Sequence, residues 1–285
     1  MTVSYVNGRY LNHRDATVHI EDRGFQFADA VYEVFAVQNG RLIDEQEHLN
    51  RLQHSLTELF IPAPMSSAAL KLVMRNLLRV NKIRYGGLYL QISRGVAPRD
   101  FTAPADLVPT LVMTVKRLKP FNIQSAFQGV KVITAPDLRW KRCDIKTVQL
   151  LAGVLSKTEA HAQGAAEAWL LDANAMVTEG SSSNAWIVTH DDELITRHTD
   201  HAILGGITRM TILKLAAENG LKYLERSFSL EEALTAREAF TTSSTVMLRP
   251  VTQINAAQVG DGACGPFSRK LIELYGAYME KDTPA

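Results

Sequence analysis

The pattern of apolar and polar positions predicts a first stretch of mixed strands and helices over residues 1–118. Asn7–Gly8 and Asn39–Gly40 each stand between short apolar runs, an arrangement typical of tight β-hairpins. Leucines spaced three or four residues apart after Glu45 indicate an amphipathic helix, which Pro62 ends. The predicted elements are strands at 30–37, 87–93 and 110–115 and helices at about 45–60 and 66–80.

A second stretch of strands and helices follows residues 119–128, where the periodicity is lost. We therefore predict a small N-terminal domain (1–118), a linker (119–128) and a larger domain (129–285). Asn219–Gly220 is typical of a helix C-terminus. The predicted elements are strands at 130–135, 167–171, 184–188, 193–195, near 223, 239–242 and 247–251 and helices at about 147–163, 207–218, 230–234 and 267–280.

The composition is that of an ordinary globular protein: of 285 residues, 46% are hydrophobic and 21% are charged. A formal net charge of +1 indicates neither nucleic acid nor a membrane surface as a partner. No stretch approaches the roughly 20 apolar residues that span a bilayer. Cys143 and Cys264 stand far apart and fit no disulfide framework. We expect a cytoplasmic protein.

Several motifs of known chemistry are absent from the sequence. There is no Walker A motif and no G-x-S-x-G. His198 and His201 are three residues apart, but no cysteine or HExxH frame accompanies them, so no metal site is expected.

Lys146 is the first candidate for chemistry, since it ends the polar stretch 139–146 just before a predicted amphipathic helix. Val148, Leu151 and Leu155 fall on one face of that helix, which we expect to be buried. An amine fixed at the start of such a helix is partly desolvated, which lowers a lysine's pKa and favours Schiff-base formation. The plainer interpretation is a surface lysine in a loop.

Three polar clusters and one arginine could bind an anion. The turn 178–184 combines a glycine with three serines after Glu179, and 204–209 places two glycines before a helix start, where free N–H groups bind phosphate. Residues 241–245 supply five hydroxyls at a strand end, and Arg51 could pair with a phosphate. The alternatives are solvated loops and a solvated arginine.

Five strings of the sequence resemble one known family. They are EDRGFQFADAVYEV, EHLNRL, CDIKTVQLLAGVLSKTEAHAQGAAEA, VTEGSSSNAWIV and ILGGITR. They resemble the class IV, fold-type IV pyridoxal-phosphate aminotransferases, in particular the D-amino-acid branch, over about residues 4–275. The resemblance implies an α+β protein with a small N-terminal α/β domain and a larger C-terminal domain that has a β-barrel-like core.

The resemblance also implies how pyridoxal 5'-phosphate would be bound. Lys146 would hold the cofactor covalently and carry the proton at the substrate's Cα. Glu179 would bind the pyridine nitrogen, and Leu204 would pack on the ring. The residues implied for the phosphate are Arg51, Ile207, Thr208 and Ser244.

For the substrate, the resemblance implies a carboxylate clamp of Tyr32 and Arg99, with Arg99 contributed by the second subunit of a homodimer. One departure concerns this loop, in which the D-amino-acid branch has Arg-x-His. Here Phe101 stands at the histidine position. We therefore expect a weaker or relocated carboxylate site, and Arg249 could supply a compensating charge.

The leading interpretation is a transaminase that moves the amino group of a D-amino acid to a 2-oxo acid. The alternatives on the same scaffold are an (R)-selective amine transaminase, an enzyme with both activities and a branched-chain L-amino-acid transaminase. An aminodeoxychorismate lyase would share the cofactor residues but release pyruvate without an amino acceptor. A binding module for a small molecule, without catalysis, is the non-enzymatic alternative.

Overall fold

The computed structural model describes residues 2–281, whose contacts divide them into two compact units. The first contains residues 2–120 together with 145–149, and the second contains 121–144 together with 150–281. The short segment around Lys146 therefore packs with the first unit, although the chain on both sides of it belongs to the second.

The first unit is built on a six-stranded antiparallel sheet in the order β2-β1-β6-β5-β3-β4. Its strands are β1 (Val3–Val6), β2 (Arg9–Asn12), β3 (Ala30–Gln38), β4 (Arg41–Leu42), β5 (Gly86–Ser93) and β6 (Thr110–Arg117). Its helices are α1 (Arg23–Phe27), α2 (Glu45–Glu58) and α3 (Ser67–Val80).

Both predicted hairpins are confirmed by the backbone. Asn7 and Gly8 have φ of 44° and 89°, and Asn39 and Gly40 have φ of 53° and 81°. Two successive positive φ angles form the tight turn whose twist matches that of paired strands, and Asn and Gly tolerate this conformation best. The predicted helices after Glu45 and Pro64 are also confirmed, and α2 and α3 bury their leucine faces.

The second unit is built on a nine-stranded mixed sheet in the order β12-β11-β10-β13-β14-β7-β8-β9, with β15 paired to β14. Its strands are β7 (Val130–Pro136), β8 (Glu167–Leu171), β9 (Val177–Gly180), β10 (Asn184–Val188), β11 (Leu194–Thr196), β12 (Tyr223–Glu225), β13 (Glu238–Ser243), β14 (Met247–Ile254) and β15 (Ala257–Gln258). Its helices are α4 (Ile123–Ala126), α5 (Leu151–Ala162), α6 (Ile207–Glu218), α7 (Leu230–Leu234) and α8 (Pro266–Lys281). End strand β9 also contacts β10, so the sheet curls toward itself.

The core of the second unit lies against this sheet. Trp169, Phe228 and Ile254 are fully buried in one apolar cluster, in which the Trp169 and Phe228 rings meet edge to face. Strand β14 enters this cluster between β13 and β7. The curled sheet is therefore a packed scaffold for the loops at the ends of its strands.

The predicted helix after Lys146 is wrong in its start and in its buried face. Thr147 pairs with Val31, and Val148 N donates to Ala30 O at 3.1 Å, so this segment extends along β3 and α5 begins only at Leu151. Leu151 and Leu155 are 71% and 61% exposed. The apolar spacing predicted a helix but did not indicate which of its faces is buried. Helix α5 buries Gly153 and Ala160 instead.

Within residues 2–281, no helix is both long enough and apolar enough to span a bilayer.

Candidate active site

Lys146 is held on both sides of its backbone by elements of the first unit. Tyr32 N, in β3, donates to Lys146 O at 3.0 Å. Lys146 N donates to the buried hydroxyl of Ser55, in α2, at 3.1 Å. Its side-chain amine lies 4.2 Å from the centroid of the Tyr32 ring. The structure thus brings two predicted site residues, Lys146 and Tyr32, into contact, and it fixes the lysine by a strand and a helix rather than by a helix start.

Arg51 belongs to a buried charged cluster in the same unit. Its Nε and Nη2 each donate to the Glu33 carboxylate at 2.8 Å, and His48 Nδ1 lies 2.7 Å from the same carboxylate. Burial alone would raise the pKa of Glu33, but the charge and hydrogen bonds of Arg51, with that of His48, lower it to about 2. Burial lowers the pKa of His48. Arg51 is therefore oriented by a permanently ionised carboxylate.

Glu179 is a buried carboxylate in β9 of the second unit, and protein donors occupy both of its oxygens. Oε1 accepts from the Arg139 guanidinium and from Leu204 N at 3.1 Å, and Oε2 accepts from Asn184 Nδ2 at 2.9 Å. The structure therefore joins Glu179 and Leu204, which the sequence predicted separately.

Arg139 is kept charged by its surroundings. Burial opposes its charge, but hydrogen bonds to Asp137, with the charges of Glu179 and Asp137, outweigh burial and raise its pKa. Those hydrogen bonds include Nη2 to Asp137 Oδ2 at 2.7 Å. Arg139 thus links two carboxylates and fixes the direction of the Glu179 carboxylate.

The start of α6 approaches this carboxylate through Asn184. Asn184 Nδ2 also donates to Leu204 O at 3.0 Å, and a Cβ added to Gly206 would lie 2.0 Å from Asn184 Oδ1. Gly206 is the residue before the helix and has no side chain to cap it. The predicted phosphate residues Ile207 and Thr208 form the first turn of α6 and are both buried. The uncapped N–H groups of such a turn suit an anion.

The serine turn 181–183 does not leave its hydroxyls open to a ligand. Ser181 donates to the Glu167 carboxylate, and the Ser182 and Ser183 hydroxyls each donate to Glu167 Oε2 at 3.0 Å. The three hydroxyls therefore bind a buried side chain of the same unit. The backbone N–H groups of Gly180 and Ser181, part of the turn predicted to place such groups around an anion, donate to Ser183 O and Ala168 O at 2.7 and 2.8 Å.

Among residues 241–245, the hydroxyls of two threonines form hydrogen bonds within the second unit, and Ser244 lies in a turn. Thr241 Oγ1 donates to Ser183 Oγ at 2.5 Å, and Trp186 Nε1 donates to Thr242 Oγ1 at 2.9 Å. Ser244, predicted for the phosphate, lies in the turn between β13 and β14 and is half-buried.

Arg99 lies in the exposed loop after β5, in the first unit. Its guanidinium carbon is 4.8 Å from the centroid of the Phe27 ring, and the Phe27 and Phe101 ring centroids are 5.5 Å apart. Arg99 packs on this ring, and no hydrogen bond joins it to Tyr32 or Lys146 among the described residues.

Sequence reasoning missed the residues that hold the predicted ones in place: Glu33, His48, Ser55, Asp137, Arg139, Glu167 and Asn184. One signal was available for Glu33, a lone charge inside the apolar run of β3, where burial demands a partner. The others carry no signal of their own, because their partners are set by strand pairing and not by spacing along the chain.

No group of three or more metal-binding side chains occurs within residues 2–281. His198 lies 3.5 Å from Asp200 in an exposed pair.

A family model described as amino-transferase class IV matches residues 30–254. Three curated relatives are named D-alanine aminotransferase. That of Listeria monocytogenes is 42% identical over 272 residues, covering 95% of this chain and 93% of the relative. Those of Bacillus licheniformis and Staphylococcus haemolyticus are 43% identical over 266 residues (93% of both chains) and 35% identical over 280 residues (98% and 99%).

Solved structures of branched-chain amino acid aminotransferases share the fold. The Escherichia coli enzyme superposes with a TM-score of 0.91 at 24% identity, covering 99% of this chain and 96% of that chain. The Thermobaculum terrenum enzyme, in its PLP form, gives 0.88 at 23%, covering 99% and 95%. At such identities the likeness shows the fold alone, and it confirms the expected fold-type IV architecture.

Proposed function

The chain belongs to the class IV aminotransferases, and we propose that it is a pyridoxal-phosphate-dependent transaminase that moves the amino group of D-amino acids, such as D-alanine, to 2-oxo acids. The observation that carries the proposal is the fixing of Lys146. Hydrogen bonds from β3 and to Ser55 hold its backbone, and its amine lies against Tyr32. The D configuration is supported by 42% identity over 95% of the chain to a D-alanine aminotransferase.

The residues present fit such a cofactor. A buried carboxylate suits a protonated ring nitrogen, and Glu179 is oriented by Arg139 and Asn184 for this role. The uncapped first turn of α6, with Ile207 and Thr208, suits a phosphate, as do Arg51 and Ser244. Leu204 would pack against the ring. When bound, the cofactor supplies a ring that withdraws the electron pair left at the donor's Cα.

The chain's own chemistry centres on one proton. The Lys146 amine takes the proton from the donor's Cα in the first half-reaction and returns one to the acceptor's Cα in the second. The contact with Tyr32 and the fixed backbone keep the amine from turning away between these steps. Tyr32 and Arg99 orient the substrate carboxylate, so that the Cα–H bond faces the amine.

A half-reaction panel tests the activity. D-alanine should shift the visible absorption band of the purified holoprotein, whereas L-alanine should leave it unchanged over the same time. Turnover should require 2-oxoglutarate or another 2-oxo acid. Pyruvate released from aminodeoxychorismate without any acceptor would instead make the protein a lyase and overturn the proposal.

Lys146 is tested chemically and by substitution. After borohydride reduction, peptide mass mapping should find the cofactor on the peptide that contains Lys146. Lys146→Ala should lower turnover at least about a thousandfold, because it removes both the covalent anchor and the proton carrier. Lys141→Ala, an exposed lysine of the same stretch, is the matched control and should keep its activity. Cofactor found on another lysine would contradict the assignment.

We also propose that the protein is a homodimer. On the first turns of α5, Leu151 is 71% exposed, Val154 54% and Leu155 61%, and Leu150 just before the helix is 43% exposed. A contiguous apolar face of this kind is typical of a surface that another subunit covers. A second copy of the chain, with Arg99 acting on its partner's substrate, is the occupant that the resemblance supports.

A second candidate activity rests on the loop that carries Arg99. The Phe101 ring is 88% exposed and lies beside Phe27. An aromatic surface beside the carboxylate-binding arginine favours amines whose substituent is apolar. We therefore include (R)-1-phenylethylamine in the panel, and comparable turnover of D-alanine with none of this amine would reject the second activity.

A further inference from the structure

Arg23 is a nearly fully buried arginine that the proposed chemistry does not use. It is the first residue of α1 and is 4% exposed. Its Nε donates to Asp29 Oδ2 at 2.9 Å. Its two terminal nitrogens donate to backbone carbonyls of the loop after β5. Nη1 donates to Asp100 O at 2.6 Å, and Nη2 donates to Phe101 O at 3.2 Å. One side chain thus binds the loop at the two residues after Arg99.

The side chain of Phe27, at the other end of α1, contacts the same loop. Its ring centroid lies 4.7 Å from the Arg23 guanidinium carbon and 4.8 Å from that of Arg99. The Phe101 ring is 5.5 Å away. Arg99 therefore rests on an aromatic ring that Arg23 supports, and such contacts between guanidinium and aromatic groups are attractive.

Arg94, the first residue of the same loop, provides an internal comparison, because its side chain binds the same carboxylate but donates to neither carbonyl beside Arg99. It donates to both oxygens of Asp29, at 2.7 and 2.9 Å. Its other hydrogen bonds go to Leu59 O and Phe60 O, at 2.8 and 3.1 Å, at the end of α2. The two arginines thus share the Asp29 anchor and differ in the backbone that they hold.

We propose that Arg23 is a positioning residue for donors that carry a carboxylate, because it fixes the loop that presents Arg99. Two charge-assisted hydrogen bonds to successive carbonyls set the direction of the loop, and Phe27 sets the direction of the Arg99 side chain. The inference rests on the proposed transaminase function and on the role of Arg99 in it. Arg23 itself touches neither substrate nor cofactor in this assignment.

Steady-state kinetics with D-alanine tests the proposal in the holoenzyme. Arg23→Lys keeps the charge beside Asp29, but a single ammonium cannot reach two carbonyls and a carboxylate in the same geometry. The KM for D-alanine should rise about tenfold while kcat changes less than about twofold, since the loss is one of orientation and binding rather than of proton transfer. Arg94→Lys, the matched control, should lose a similar amount of thermal stability and keep the wild-type KM.

A double-mutant cycle shows whether Arg23 acts through Arg99. Arg99→Ala should raise the KM for D-alanine on its own, and adding Arg23→Lys to it should cost less than about twofold more. The proposal is overturned if Arg23→Lys raises the KM for D-alanine by the full tenfold in the Arg99→Ala background. It is also overturned if Arg94→Lys raises the KM as much as Arg23→Lys does. If Arg23→Lys does not fold, Arg23→Gln replaces it in the same cycle, since a single amide cannot donate to both loop carbonyls and to Asp29 in the same geometry.

Different results would overturn the transaminase function and the positioning role of Arg23. A wild-type protein that does not turn over D-alanine, or an Arg99→Ala variant with an unchanged KM, overturns the assigned function or the role of Arg99, and the positioning role falls with it. A large effect of Arg99→Ala beside an unaffected Arg23→Lys overturns the positioning role alone.

Discussion

At the scale of single residues, Glu33 is the most tightly constrained charge of the first unit. Its side chain has no solvent exposure, and Arg51 and His48 supply its hydrogen bonds. A buried carboxylate without partners would be protonated, whereas this one is ionised because Arg51 lies against it. Its charge therefore also fixes the direction of Arg51, the residue proposed to bind phosphate.

This constraint predicts a specific response to acid. The pKa of Glu33 is about 2 in the folded protein against an ordinary 4.5, so between these values the unfolded chain binds more protons and acid favours unfolding. The stabilisation is complete above pH 4.5 and disappears as the pH falls toward 2. Between pH 5 and pH 3, wild type should lose about 2 kcal/mol of stability that Glu33→Gln does not lose.

Urea denaturation of the apoprotein at several pH values measures this difference. Glu47→Gln, which removes an exposed carboxylate of α2, is the control and should follow wild type. A constant gap between wild type and Glu33→Gln from pH 5 to pH 3 would show that folding does not lower the pKa of Glu33.

The serine turn shows what residue types alone could and could not predict. Composition left open a solvated loop and a turn that binds an anion, because glycine and three hydroxyls supply donors in a short loop. It could not indicate that the anion is Glu167. That carboxylate is fourteen residues before Ser181, and it reaches the turn because β8 and β9 are neighbours. Such a contact is a property of the sheet and not of the local sequence.

At the scale of elements, signals at both ends of a helix decided how well it was predicted. Helix α6 was predicted with both of its limits, since Gly205–Gly206 precede it and Asn219–Gly220 follow it. Helix α5 has no side-chain cap at Leu150, and its apolar spacing continues back to Val148. The same spacing suits the extended pairing of residues 147–148 with β3, which is the arrangement that the chain adopts.

The two glycines before α6 predict different costs for the same substitution. A Cβ at Gly206 would lie 2.0 Å from Asn184 Oδ1, whereas the nearest atom to a Cβ at Gly205 is 3.7 Å away. Gly206→Ala must therefore displace Asn184, which orients Glu179. We expect Gly206→Ala to weaken the binding of pyridoxal phosphate to the apoprotein at least tenfold, and Gly205→Ala to change it less than about twofold.

Titration of the apoprotein, followed by cofactor absorbance, gives both affinities, and circular dichroism checks that each variant is folded. Equal affinities for the two variants would mean that Asn184 moves without affecting Glu179, and would remove Asn184 from the group of residues that prepare the site.

At the scale of the whole molecule, the resemblance was confirmed as family membership and as fold, but it did not settle which subunit supplies Arg99. In one chain, the Arg99 guanidinium lies on the Phe27 ring. If the proposed homodimer is the active form, each substrate meets Lys146 of one subunit and Arg99 of the other. Sequence cannot test this, because both residues occur in every copy.

Mixing two defective variants tests it. A Lys146→Ala homodimer lacks the amine at both sites, and an Arg99→Ala homodimer lacks the arginine at both. If Arg99 acts across the interface, a mixed dimer has one site with both residues intact. After subunit exchange, half of the dimers are mixed and one of their two sites is complete. The mixture should therefore recover about a quarter of wild-type activity. If Arg99 acts within its own chain, every site lacks one residue and the activity of the mixture stays at the average of its two components.

The same mixture also tests the apolar face of α5 as the contact between subunits. Leu151→Glu added to both variants places charges on that face and should prevent both dimer formation and recovery of activity, as sedimentation velocity and the D-alanine assay would show. Leu72→Glu is the matched control, because Leu72 is also an exposed leucine on a helix, at 68%, but lies on α3. It should leave dimer mass and recovery unchanged. Recovery that survives Leu151→Glu would move the interface elsewhere, while leaving the sharing of Arg99 between subunits intact.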